Sequence, residues 1–232
     1  MNVLFEVPDL LVGFDIESTG LDTRNDEAIS YGFAEFQSGL LSKIEQFFVL
    51  PDVQIHPGAE KIHGVSFEVL RRLHRQGDAL SARAGATRAT QRLLDYASRG
   101  AAFVGANPMF DYSMLDATLK RQGVGDLATF GFKLDEITVI DVVSHDRAVD
   151  EDRVARPRRG LSNLCEHYGV VPGCHDAAQD ARAAVEVLLA QIALVNERQP
   201  SERSSSRTAI DLGEAMSLEH TSWLRRAMLR IR

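Results

Sequence analysis

The sequence predicts a mixed α/β fold, a sheet covered by helices. Two observations point there. Near the N-terminus three alternating apolar runs, "LLVGFDIES", "AISYGFAEF" and "KIEQFFVLP", are separated by short polar or Gly-containing stretches, as expected of an antiparallel meander. After them, helix-period segments alternate with short strand-like ones. The chain of 232 residues is long enough for one main core with an appendage.

Taken in order, the meander is followed by two helical pieces, at about 67–74 and 80–98, and then by "AAFVGAN", which ends a fourth strand. Helix-period residues return at "YSMLDATLKR" and strand character at "ITVIDVV". Two more helices are predicted at "LSNLCEHYG" and "AAQDARAAVEVLLAQIALV". From 198 to 208 the composition turns to Ser, Arg and Pro, which predicts a flexible linker and confines the core domain to residues 1–197. In the remainder, 209–232, Trp223, Leu224, Ala227, Met228 and Ile231 recur at helical spacing, with Arg225, Arg226 and Arg230 on other faces. This predicts an amphipathic C-terminal helix that packs on its own domain or a second copy, or that docks on another protein or a membrane surface.

Composition excludes several classes. With 44% hydrophobic and 25% charged residues, and no apolar run near the ~20 residues of a membrane span, a soluble chain without membrane insertion is expected. The N-terminal stretch lacks a basic leader with a small-residue cleavage site, so the expected compartment is the cytoplasm. Cys165 and Cys174 are too few for a disulfide framework and match no common zinc spacing. A net charge of −7 argues against coating nucleic acid by bulk attraction, yet bound divalent metal can supply positive charge locally.

The acids carry the chemistry. Asp15 and Glu17, two apart in a predicted strand, project from one face, and their apolar flanks Leu10, Leu11, Val12, Phe14 and Ile16 predict a strand buried on both sides. Asp111 follows the fourth strand, where it could cap the next helix. Asp176 and Gln179 have capping-box spacing, which starts the last helix at Ala177. That places His175 in the preceding loop and Asp180 in the first turn, beside a run of alanines that suits close packing on the sheet. Convergent carboxylates would cost ~4 kcal/mol per close pair at 4 Å and an effective dielectric near 20. Divalent cations with oxygen ligands remove that cost, and His175 offers a proton acceptor with an ordinary pKa near neutrality.

On these residues the chain resembles the DEDDh, or DnaQ-like, 3′-to-5′ exonucleases, which include the proofreading subunit of bacterial replicative polymerases. "FDIESTGL" is similar to the first motif, "IHGVS" to the segment beside the terminal nucleotide, "GANPMFD" to the second motif and "HDAAQDA" to the third, in its histidine subtype. "VIDVV" and "LSNLCEHYGV" fall in the expected order between them. The resemblance implies an RNase H-like five-stranded mixed sheet flanked by helices, two Mg²⁺ or Mn²⁺ ions, and water attack on the last phosphodiester of a strand. It also implies that Asp15, Glu17 and Asp180 hold one metal, that Asp15 is shared with the second, and that Asp111 reaches that one mainly through water. His175 would be the general base, and Thr19, Leu21, His63 and Asn107 would line the substrate pocket. One departure concerns substrate preference: Ala106 stands where many members carry His before the Asn, and Pro108 follows.

The expected function is therefore a metal-dependent exonuclease releasing nucleoside monophosphates from single-stranded DNA 3′ ends, in proofreading or repair. An exoribonuclease of the same chemistry is the alternative, since discrimination at the 2′-hydroxyl needs only one or two side chains. A non-catalytic scaffold subunit tethered to a polymerase would not need four acids and a histidine. A nucleotide-binding regulator would need a glycine-rich phosphate loop, and neither G-x-G-x-x-G nor a Walker motif is present. The expected partners are nucleic acid 3′ ends and, through the C-terminal helix, a polymerase or a second copy. The arginine-rich 147–159 segment is either a solvated loop or a flap that contacts phosphate.

Overall fold

A computed structural model describes residues 8–149 and 159–198. The expected linker and C-terminal helix (199–232), and most of the arginine-rich segment, lie outside the described residues. Strand β1 (Leu10–Ser18) pairs antiparallel with β2 (Ala28–Gln37), and β2 with β3 (Leu40–Leu50). This is the expected meander. Its second turn is made by Ser38 and Gly39, both at positive φ (51° and 78°), as a tight two-residue hairpin requires. Then follow α1 (Pro57–His63), α2 (Phe67–Gln76), β4 (Ala79–Ser81), α3 (Ala82–Ser98), β5 (Ala102–Gly105) and α4 (Pro108–Arg121). The chain continues through β6 (Val139–Asp141), α5 (Val142–Val149), α6 (Leu161–Tyr168) and α7 (Ala177–Arg198). The sheet order is β4-β3-β2-β1-β5-β6, with β5 parallel to both β1 and β6. Among the described residues no helix is long and apolar enough to cross a membrane.

Among the described residues the sheet has six strands rather than the expected five. The additional one, β4, is a three-residue edge strand parallel to the end of β3, too short to carry an alternating pattern. Ser81 closes it by accepting the Ala84 N–H at 3.3 Å, so α3 starts at Ala82 and not at Leu80. Helix α1 buries no residue and so left no apolar periodicity to read. The apolar "ITVIDVV" divides at Asp141, whose carboxylate accepts the Val143 N–H (3.0 Å) and the Ser144 hydroxyl (2.6 Å) and thereby starts α5.

Strand β1 alternates between two cores. Val12, Phe14 and Ile16 pack with Leu93 of α3 and Leu115 of α4, whereas Leu11 packs with Val185 and Leu188 of α7. Asp15 and Glu17 share the Leu11 face. What brings α7 there is glycine: a Cβ on Gly13 would lie 2.0 Å from the Ala181 carbonyl oxygen, and one on Gly32 would lie 2.1 Å from the Ala177 carbonyl carbon. Gly32 is the register partner of Asp15. The first turns of α7 therefore rest on bare backbone beside the acids. Gly32→Ala is expected to push the helix off the sheet and destabilise the fold by about 1–3 kcal/mol or more, read as a lowered urea midpoint.

Candidate active site

Each site residue is placed by its element. Asp15 and Glu17 project from β1 toward α7. Asp111 does not cap α4: Asn107 occupies the cap, in the left-handed region (φ 63°) with no side-chain bond, and Pro108 follows at the first helical position. Asp111 lies in the first turn, 4% exposed, and its Oδ1 accepts the Ile16 N–H at 3.1 Å, which ties α4 to the strand between the two acids. Asn107 is held from behind, its N–H donated to Asp141 at 3.0 Å. The last helix starts at Ala177 as expected, with Asp176 accepting the Gln179 N–H at 3.0 Å. A Cβ on Gly173 would lie 2.3 Å from Asp180 Oδ1, so the loop before the helix is folded tightly over that carboxylate.

His175 sits outside the helix, exposed, in the left-handed region (φ 62°), and so does Cys174 before it (φ 58°). Such backbone costs ~1–3 kcal/mol per non-glycine residue and concentrates at functional sites. Ligand atoms of Glu17, His175 and Asp180 all lie within 4.8 Å of one another. A cleft of about 570 Å³ is lined by Asp15, Glu17, Asp111, Asp180 and His175, together with Asn107, Phe110, Arg147, Arg159 and the start of α6. The structure thus gathers four acids, the histidine and Asn107 into one cavity. The other three residues expected in the pocket, Thr19, Leu21 and His63, are not part of this cleft's lining. Thr19 is fully buried, its hydroxyl donating to Asp26 (2.9 Å) and accepting the Glu27 N–H (3.0 Å), while Leu21 stands 85% exposed on the turn that Thr19 stabilises. His63 accepts the Val65 N–H at Nδ1 (3.1 Å) and lies near enough to His175 for that ring's charge to help lower its pKa, after burial.

The electrostatics are those of crowded acids. Burial, then Asp111, Asp180, Glu17 and Asp176, hold Asp15 well above the carboxylate range. Glu17 is pushed up to about 7 by burial and by Asp180 and Asp176. Burial also raises Asp111 against the opposing Ile16 N–H, and raises Asp180 against His175. Asp176, which reads as a plain cap in the sequence, is thus a fifth carboxyl group acting on the site. The donor set is oxygen-rich with one imidazole nearby, which suits a hard divalent cation. Because Glu17 titrates near 7 when folded and near 4.5 when unfolded, the unfolded chain releases its proton first as pH rises. Stability without metal is therefore expected to fall between about pH 4.5 and 7, so the protein in EDTA should melt lower at pH 8 than at pH 5, and saturating Mg²⁺ should shrink that difference. Equal melting temperatures at both pH values in EDTA would mean that the acids are not clustered.

Comparison with known proteins agrees with this architecture. The RNase_T family model, described as exonuclease, matches residues 12–188. A PolC-type DNA polymerase III from Caldanaerobacter subterraneus subsp. tengcongensis is 26% identical over 187 residues, covering 80% of this chain and 12% of the polymerase. Among solved structures, E. coli exonuclease I in complex with a dT13 oligonucleotide superposes with a TM-score of 0.63 at 19% identity, over 83% of this chain and 42% of that one. Exonuclease I from Methylocaldum szegediense superposes with a TM-score of 0.63 at 22% identity, over 84% and 42%. This chain therefore spans less than half of the exonuclease I chains and about an eighth of the polymerase. The structural likeness establishes the RNase H-like fold, and the family match covers all four acids and His175. The chain belongs to this exonuclease family.

Proposed function

We propose that the protein is a metal-dependent 3′-to-5′ exonuclease that releases nucleoside monophosphates from single-stranded DNA, in proofreading or repair. One observation carries the reading: Asp15, Glu17, Asp111, Asp180 and His175, drawn from three separate elements and one loop, line the same cleft. Asp15, Glu17, Asp111 and Asp180 would hold two Mg²⁺ or Mn²⁺ ions, which when bound neutralise the charge that develops at the phosphodiester. His175, outside the helix and exposed, takes the proton of the attacking water. Asp180, one turn into α7, is fixed by backbone packing and cannot swing as the imidazole can. The relatives favour a DNA strand as substrate, since the similar exonuclease I structures hold dT13, dA13 and dA16 oligonucleotides.

The proposal is tested with linear and circular single-stranded DNA of one sequence and a linear RNA counterpart, in Mg²⁺ or Mn²⁺. Linear DNA should yield mononucleotides while the circle survives. Cleavage of the circle would show an endonuclease, and faster loss of the RNA would move the assignment to RNA trimming. Residues 1–197 are proposed to suffice for this chemistry, with the C-terminal segment serving association.

A further inference from the structure

We propose that Arg147 binds a backbone phosphate of the strand beyond the scissile bond, on the α5 wall of the acidic cleft; the inference rests on the exonuclease reading. A strand entering this cleft meets four acidic side chains, on a chain of net charge −7. Metal held by the acids would compensate the scissile phosphate, and the neighbouring phosphates need another cation. Among the described residues the arginines lining the cleft are Arg147 and Arg159. Arg159 is committed elsewhere: its guanidinium pairs with Asp146, which is fully buried and also accepts the Tyr168 hydroxyl at 2.7 Å. Arg147 is exposed and forms no ion pair with any carboxylate among the described residues.

Successive helical residues point about 100° apart, so with Asp146 turned inward Arg147 is left at the cleft. The helix that carries it is rigidly placed. His145 Nδ1 and Gln191 Oε1 lie 2.8 Å apart in the interior, and Gln191 Nε2 donates to the Val142 carbonyl at 3.0 Å. Helix α5 is thereby bonded to α7, the helix that positions Asp180, which fixes the arginine relative to the acids. The planar guanidinium fork then suits phosphate oxygens, which it can engage with two parallel hydrogen bonds.

The test compares the full-length wild type with Arg147→Ala, Arg147→Lys and the remote control Arg83→Ala, an exposed α3 residue. The substrates are an oligo-dT strand and thymidine 5′-p-nitrophenyl phosphate, which has one phosphodiester and no neighbour. For Arg147→Ala, kcat/KM on the strand should fall by roughly 10- to 100-fold, mostly through KM. The ratio of kcat/KM for the strand to that for the chromogenic ester should fall by a similar factor. The salt dependence of strand binding should become shallower by ~0.7 in log–log slope. Arg147→Lys should recover part of the loss, and Arg83→Ala should keep the wild-type slope. An unchanged strand KM, or equal losses on both substrates, overturns the contact. A wild type that hydrolyses neither substrate overturns the exonuclease reading, and the contact with it.

Discussion

Asp15→Asn is expected to bring metal-dependent hydrolysis to background and to remove the thermal stabilisation by Mg²⁺ together. Asp15 faces every other acid of the cleft: Asp111, Asp180, Glu17 and Asp176 all raise its pKa, after burial. No other carboxylate in the cavity is pressed by so many. The neutral amide keeps the shape, so the fold should survive and, without metal, gain stability from the removed repulsion. Loss of an outer partner of a metal site commonly costs 10–100-fold, and loss of this central ligand should exceed roughly 100-fold. The wild type at a metal concentration of 100 Kd should gain about 2.7 kcal/mol, against almost none for the variant. Melting curves with EDTA and with Mg²⁺, run beside an activity assay, check both halves. A variant that is inactive yet still stabilised by Mg²⁺ would move Asp15 out of the metal site.

His175→Ala should lower kcat by on the order of 10² to 10⁴, the usual contribution of a positioned general base. Here the metal response decides between two roles, because the ring nitrogen lies within 4.8 Å of ligand atoms of Glu17 and Asp180, close enough to serve as a ligand itself. As a base, its removal leaves the Mg²⁺-induced rise in melting temperature intact; as a ligand, its removal diminishes it. The exposed position on left-handed backbone, outside the helix, favours the base. A wild-type kcat in the variant would exclude both roles.

The acids and the histidine were legible because their constraints are local. Alternation put Asp15 and Glu17 on one face, and the Asp176 cap set the start of α7, so that His175 fell outside it and Asp180 inside. The elements that escaped were those whose cause is remote. Strand β4 exists because the end of β3 offers an open edge, and α1 buries nothing that could mark it. Gly13 and Gly32 lie inside the predicted strand runs, where a glycine signals close backbone approach. Their role appears only once α7 lies on them, 168 residues of sequence after Gly13 in the case of Ala181. Asp111 was expected among the metal-binding acids, with a helix cap as its local alternative; it is not the cap, and the Ile16 N–H that it receives, a bond between residues 95 apart, is one that local pattern does not reveal. Thr19 supports its own turn from within, its hydroxyl donating to the Asp26 carboxylate and accepting the Glu27 N–H.

This cleft is proposed to hydrolyse a nucleic acid strand from its 3′ end, with metal held by the acids and a proton accepted by His175. The most direct measurement follows a 5′-labelled single-stranded DNA over time with Mg²⁺, with EDTA, and with His175→Ala in Mg²⁺. The expected result is a ladder that keeps its label and shortens stepwise, present only with metal and slowed in the variant. Immediate release of labelled mononucleotide, or a ladder that persists in EDTA, would contradict it.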